Sequence, residues 1–151
     1  MRTLTPALRT LLVEWLPVAL WAALIFAFSA QPNLRFAEAD SLDFAVRKAG
    51  HMFVFGVLAV LLWRALTSAQ IGRPVFWSWL LTAAYAGSDE FHQSFTGGRH
   101  PSPVDVGIDA AGALIALGIL VVWLRFRARG RSTASDYSAT GSPRMLKPPS
   151  T

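Results

Sequence analysis

Apolar residues in this chain come in long runs, and four of them approach the roughly 20 residues that a helix needs to cross a bilayer. The first extends from about Leu11 to Ala30 and is uninterrupted by charge from Trp15 to Phe28. The second covers about Ala49 to Leu66. The third begins at Val75 and is clearly apolar only as far as Ala86, and the fourth covers about Val104 to Leu124. A soluble core needs apolar residues at spaced positions, not in runs of this length. The expected fold is therefore an all-α integral membrane four-helix bundle. Residues 1–10 form an N-terminal segment and 11–129 the four-span domain. Residues 130–151, rich in Ser, Thr, Gly and Pro with no apolar period, form a tail expected to be disordered.

Composition agrees with this reading. Hydrophobic residues make up 53% of the 151 and charged residues only 15%, against about 45–50% and about 25% in soluble domains. There is no cysteine, which excludes a disulfide scaffold and leaves the redox compartment unreported. Arg2 and Arg9 precede the first apolar run, and Ala27-Phe28-Ser29 weakly resembles a cleavage site, so a leader peptide is an alternative for that segment. The retained span is preferred because the charge pattern calls for an even number of crossings.

Short loops on the cytoplasmic side carry an excess of Lys and Arg. With both termini cytoplasmic, Arg2, Arg9, Arg64, Arg73, Arg125, Arg127, Arg129, Arg131, Arg144 and Lys147 lie inside, and only Arg35, Arg47, Lys48 and Arg99 lie outside. Most acids fall on the outer side: Glu38, Asp40, Asp43, Asp89, Glu90, Asp105 and Asp109. The localisation this predicts is multi-pass, in the inner (plasma) membrane. The basic run after the fourth segment reads as a stop-transfer anchor facing anionic lipid, not as a nucleic-acid surface. The tryptophans, mostly near predicted span ends, read as an aromatic belt.

Counting about 20 residues outward from each cytoplasmic end brings three spans to polar positions at one face. These are Arg47 for the second, Gln93 for the third and Asp105 for the fourth. Lys48 and His51 are three apart, Asp89 and Gln93 four apart, and Asp105 and Asp109 four apart, so each pair shares a helix face. Asp109 continues into Ala113 and Ala116 with Gly112 beside them, a small-residue stripe that lets helices approach closely and turns Asp109 towards protein. Phe95 to Pro101 is a short Gly/Pro-containing connection that would let Arg99 lean over the acids. Taken singly, Lys48 reads as a snorkelling anchor, His51 as a helix end, Asp89-Glu90 as a solvated terminus and Gly97-Gly98 as a turn. Together they read as a shared pocket, because ionisable groups at membrane depth are costly without a role.

The residues that carry this pattern also resemble those of the VanZ-like membrane proteins. The likeness lies in Trp21 with Phe26-Ala27-Phe28-Ser29-Ala30-Gln31-Pro32, in Lys48-Ala49-Gly50-His51, and in Gly87-Ser88-Asp89-Glu90-Phe91-His92-Gln93-Ser94-Phe95. It continues through Gly98-Arg99 and Asp105-Val106-Gly107-Ile108-Asp109-Ala110-Ala111-Gly112, covering about Trp15 to Trp123. The family pattern usually has Asn where this chain has Asp109, which adds a potential charge. The resemblance implies a small multi-span helical protein. It also implies a link to glycopeptide antibiotic resistance, since the founding member is associated with low-level teicoplanin resistance. It supplies a phenotype and not a mechanism.

Two functional classes follow. In the first, the protein binds or remodels an envelope lipid or lipid-linked molecule at the outer face. Lys48, Arg99 and a protonated His51 would hold an anionic head group, with Gln93, Asp109 and the other acids on hydroxyls or amines. Phe55 and Phe91 would line the apolar part. In the second, Asp89, Glu90, His51 and Asp105 perform acid–base chemistry as a hydrolase or transferase on a lipid head group. No metal or other cofactor is expected, since Glu90 and His92 point apart on a helix. A proton-coupled transporter fits poorly without an inverted repeat. The expected partners are the lipid bilayer, such a lipid ligand and a second copy of the chain, with no nucleic acid.

Overall fold

The computed structural model describes residues 5–30, 40–95 and 102–140. They contain four long helices and no strand: α1 (Pro6–Ser29), α2 (Asp40–Ser68), α3 (Pro74–Gln93) and α4 (Pro103–Thr140). Three of these, Pro6–Ser29, Ala45–Ser68 within α2 and Pro103–Arg129 within α4, are long and apolar enough to cross a membrane. The chain divides into two units, Met1–Gly118 and Ile119–Thr151, and the bundle described below belongs to the first.

Local chemistry explains the helix boundaries. Thr5 caps α1 by accepting from the Leu8 amide at 3.4 Å, with Pro6 in the first turn, where no amide is missed. Within α1, Leu11–Trp15 widen into a π-type turn. The end of α2 is a Schellman motif: the Ile71 amide donates to Leu66 O and the Gln70 amide to Thr67 O, with Gln70 left-handed at φ 55°. A second left-handed residue, Arg73, turns the chain straight into α3, which opens on Pro74. This connection is therefore tight and specific although it contains only one glycine.

Inter-helix contacts fix the topology. Trp21 Nε1 donates to Val54 O at 2.9 Å and Arg64 reaches Val13 O, so α1 and α2 are antiparallel. Tyr85 Oη donates to Ala22 O at 2.7 Å and Ser29 meets Asp89, so α1 and α3 run the same way. Lys48 meets Asp105 and Met52 meets Gly112, so α2 and α4 also run in parallel. The result is an up-down-up-down bundle. Its core is Ile25, Phe55, Leu58, Leu62 and Ala86, with Val18, Trp21, Tyr85 and Val106 packed against them.

The approach of α2 to α4 depends on missing side chains. A Cβ on Gly112 would lie 2.5 Å from Met52 O, and one on Gly56 3.1 Å from Ala116 Cβ. The small-residue stripe expected from sequence is thus a backbone-to-side contact between these two helices. Gly56, its counterpart on α2, lies outside that expected stripe.

α3 is the helix whose composition departs from a simple span. It runs its expected length to Gln93, yet it is not among the three apolar enough to cross. The reason is orientation: Ser78, Thr82, Asp89, Glu90 and Gln93 are buried, while Phe76, Trp77, Leu80, Leu81 and Phe91 are exposed. Ser78 and Thr82 satisfy themselves by donating to carbonyls one turn back, Pro74 O at 2.6 Å and Ser78 O at 2.7 Å. Most of the polar residues that lower its hydropathy are thus turned into the bundle, Ser88 being exposed.

Two tryptophans also differ from the expected belt. Trp21 and Trp79 are half-buried braces, Trp79 Nε1 donating to Ala110 O at 3.2 Å. In the second unit, the Arg127 guanidinium lies 4.7 Å from the centre of the Trp123 ring. α4 continues to Thr140, past Gly130 where composition predicts order to end. Extending an existing helix fixes one residue per hydrogen bond and needs no new nucleus.

Candidate functional site

At the end of the bundle where α1 and α3 finish and α2 and α4 begin, all four helices contribute polar side chains. On the α2/α4 side, Lys48 Nζ bonds Asp105 Oδ1 and His51 Nδ1 lies 3.4 Å from Asp109 Oδ2. The two pairs stack one turn apart because Lys48/His51 and Asp105/Asp109 repeat at helical spacing on parallel helices. On the α1/α3 side, Asp89 Oδ2 accepts from Ser29 Oγ at 2.7 Å and from Gln93 Nε2 at 2.9 Å. Glu90 faces the next connection, where its Oε1 accepts from the Ser102 amide at 2.7 Å. That bond ties the end of α3 to the approach of α4.

The two sides form one electrostatic cluster: Asp109 feels the charges of His51, Asp89 and Asp105. Asp89 is 2% and Asp109 4% exposed. Each carboxylate uses its Oδ2 and leaves a buried Oδ1 with no hydrogen-bond partner. A buried charged oxygen left unserved is costly, and native structures contain few of them. Beside the cluster lies the aromatic ring of Phe55, its centre 6.1 Å from that of His51 and 6.2 Å from that of Tyr85.

Seven of the eight site residues read from sequence fall in this cluster: Lys48, His51, Asp89, Glu90, Gln93, Asp105 and Asp109. Arg99 lies outside the described residues. The expectation for the aromatics is corrected. Phe55 is wholly buried in the core, where it has no free face, and Phe91 points outward at 65% exposure. His92 also points away from the carboxylates and stacks on Phe26, ring centres 4.0 Å apart, as its i,i+2 offset from Glu90 requires. Among the described residues no group of three or more His, Asp or Glu side chains could hold a metal ion.

Sequence reasoning passed over Ser29 and the Ser102 amide. Ser29 lies at the end of the first apolar run, and an outward count of about 20 residues from Leu11, like those made for the other three, ends one residue beyond it at Ala30. The Ser102 amide had no sequence signal, because a backbone donor becomes visible only once a loop brings it to a carboxylate.

The family model described as VanZ/LLP1 matches residues 8–125, which include every residue of the cluster. Comparison with curated proteins and with solved structures gives no match.

Proposed function

The chain belongs to the VanZ/LLP1 family of membrane proteins, and from that premise we propose that it binds or remodels an envelope lipid, or a lipid-linked molecule, at the extracytoplasmic face of the inner membrane. The observation that carries this reading is the pair of buried carboxylates, Asp89 and Asp109, each keeping one oxygen without a donor. Ionisable groups at the end of lipid-spanning helices lie at the depth of lipid head groups. Arg99, one connection away in sequence, is the cation proposed for a phosphate or other anionic part. The orientation follows from the excess of Arg and Lys on the opposite loops.

The test separates binding from folding. The full chain is reconstituted in nanodiscs of envelope lipid, photo-crosslinked to head-group probes, and compared with Asp89→Asn, Glu90→Gln and Lys48→Gln at equal folded abundance. Loss of crosslinking with abundance retained supports a site; loss of both in step supports helix pinning alone.

A second reading is favoured by one contact, His51 Nδ1 beside Asp109 Oδ2. A carboxylate orients an imidazole for proton transfer, so a head-group hydrolase or transferase is the alternative. It predicts altered lipid ratios in cells lacking His51 or Asp89, and unchanged ratios would remove it. Glycopeptide resistance enters as a cellular outcome: expression in a sensitive strain should raise the inhibitory concentration of teicoplanin if the lipid bound is linked to the drug's target.

A further inference from the structure

We propose that α1 is built of two parts joined by a hinge at residues 15–17, and that Arg64 is the clasp which holds the first part, residues 6–14, closed on α2. The starting point is a missing donor. Pro17 has no amide hydrogen, so Val13 O, four residues earlier, has no α-helical partner. The turn before it is already wide, since the Leu16 amide reaches back five residues to Leu11 O. A proline and a π-type turn each bend a helix, and here they lie side by side. Arg64 Nη2 on α2 donates to the carbonyl that Pro17 leaves open, and Arg64 Nε stands 2.8 Å from Glu14 Oε2. One guanidinium thus serves both the freed carbonyl and the neighbouring carboxylate, as its planar fork of donors allows.

The two parts of α1 are held differently. Beyond Pro17, Trp21 donates to Val54 O, Ala22 O accepts from Tyr85, Ser29 donates to Asp89, and Ile25 is buried in the core. Before Pro17 no residue from 6 to 14 is buried. Among the described residues the polar ties of this part to another helix are the two that Arg64 makes. The Arg64 side chain is itself half-exposed, so the clasp is weak enough to open. Segments with few buried contacts are the ones that open locally while the rest of a fold stays closed. Release would let residues 6–14 swing, while the second part and the polar end beyond it stay in place. The hinge stands whether or not that polar end binds a lipid.

The chain has no cysteine, so introduced cysteines carry spin labels at single sites. In the full chain in phosphatidylcholine nanodiscs, Leu8→Cys with Ile71→Cys measures the first part of α1 against the end of α2. Leu24→Cys with Phe53→Cys measures the second part against α2, and all four positions are exposed. Double electron–electron resonance should give one narrow distance for each pair while the clasp is intact. Arg64→Leu should raise the longer-distance fraction of the first pair up to about fivefold, the scale of an exposed ion pair, and leave the second pair as it was. Glu14→Gln, which leaves Val13 O to Arg64, should release less. Pro17→Ala returns the amide that Val13 O lacks, so Arg64→Leu on that background should no longer release the segment. A first pair that ignores both Arg64→Leu and Glu14→Gln overturns the clasp, as does a first pair that is broad before either is made. Release that persists with Pro17→Ala overturns the hinge. Both pairs lengthening together would mean that α1 departs as one rod, which overturns the two-part helix altogether.

Discussion

At one end of the bundle a guanidinium links two helices. Arg64 stands 2.8 Å from Glu14 Oε2 and also donates to Val13 O on the π-type turn of α1. Glu14 Oε2 has no aligned hydrogen bond, yet the cation beside it answers its charge. At the other end, among the described residues, four carboxylates stand with Lys48 and His51, and Asp89 and Asp109 each keep an Oδ1 without a hydrogen-bond partner. The first arrangement is an anchor: one pair, with the Arg64 side chain 45% exposed, of a kind worth about 1 kcal/mol or less. The second is a network to which all four helices contribute, with Ser29 and Gln93 donating to Asp89 and His51 beside Asp109.

Four substitutions would break or sharpen that contrast. The largest effect is expected from Gly112→Leu, whose side chain would collide with the Met52 backbone. It should cost about 3 kcal/mol or abolish folding, seen as lost monodisperse protein in size-exclusion chromatography, whereas Gly118→Leu, with nothing within 4 Å, should be silent. Equal behaviour of the two would mean that α2 and α4 do not touch as described. Next, Lys48→Met leaves Asp105 without its cation; a loss of about 1–2 kcal/mol in thermal melting is expected. Adding Asp105→Leu should recover most of it, and a double-mutant cycle with no coupling would dissolve the pair. Tyr85→Phe removes the bond to Ala22 O and should cost about 1 kcal/mol without affecting lipid retention. The smallest effect belongs to the anchor: Arg64→Leu should shift stability by less than about 1 kcal/mol and leave lipid retention intact. If it instead abolished retention, the two ends would not be functionally distinct.

The helices and the level of the polar cluster were legible because both follow from one-dimensional quantities. Run length gives the span, and counting along it gives where charge begins. Spacing of three and four placed Lys48 with His51 and Asp105 with Asp109 on shared faces. Which helix each face meets was not legible, since that depends on rotation and register. Thus the pairing of α2 with α4 and of α1 with α3, the role of Ser29, and the Glu14–Arg64 link appear only in three dimensions. Trp21 and Trp79 show the same gap, because a tryptophan facing a headgroup and one bracing a neighbour look alike in sequence. Phe55 was misread for a related reason: lying one turn from His51 does not say whether a ring faces a ligand or the core.

Trp21, Tyr85 and Trp79 share one habit: each donates to a main-chain carbonyl of a neighbouring helix, on Val54, Ala22 and Ala110 respectively. A carbonyl is present whatever side chain its residue bears. Positions 22, 54 and 110 can therefore drift among residues of similar bulk over evolutionary time without unlocking the helices, while the three donors stay constrained. Variation among relatives should be lopsided, fixed on the giving side of each tie and permissive on the receiving side.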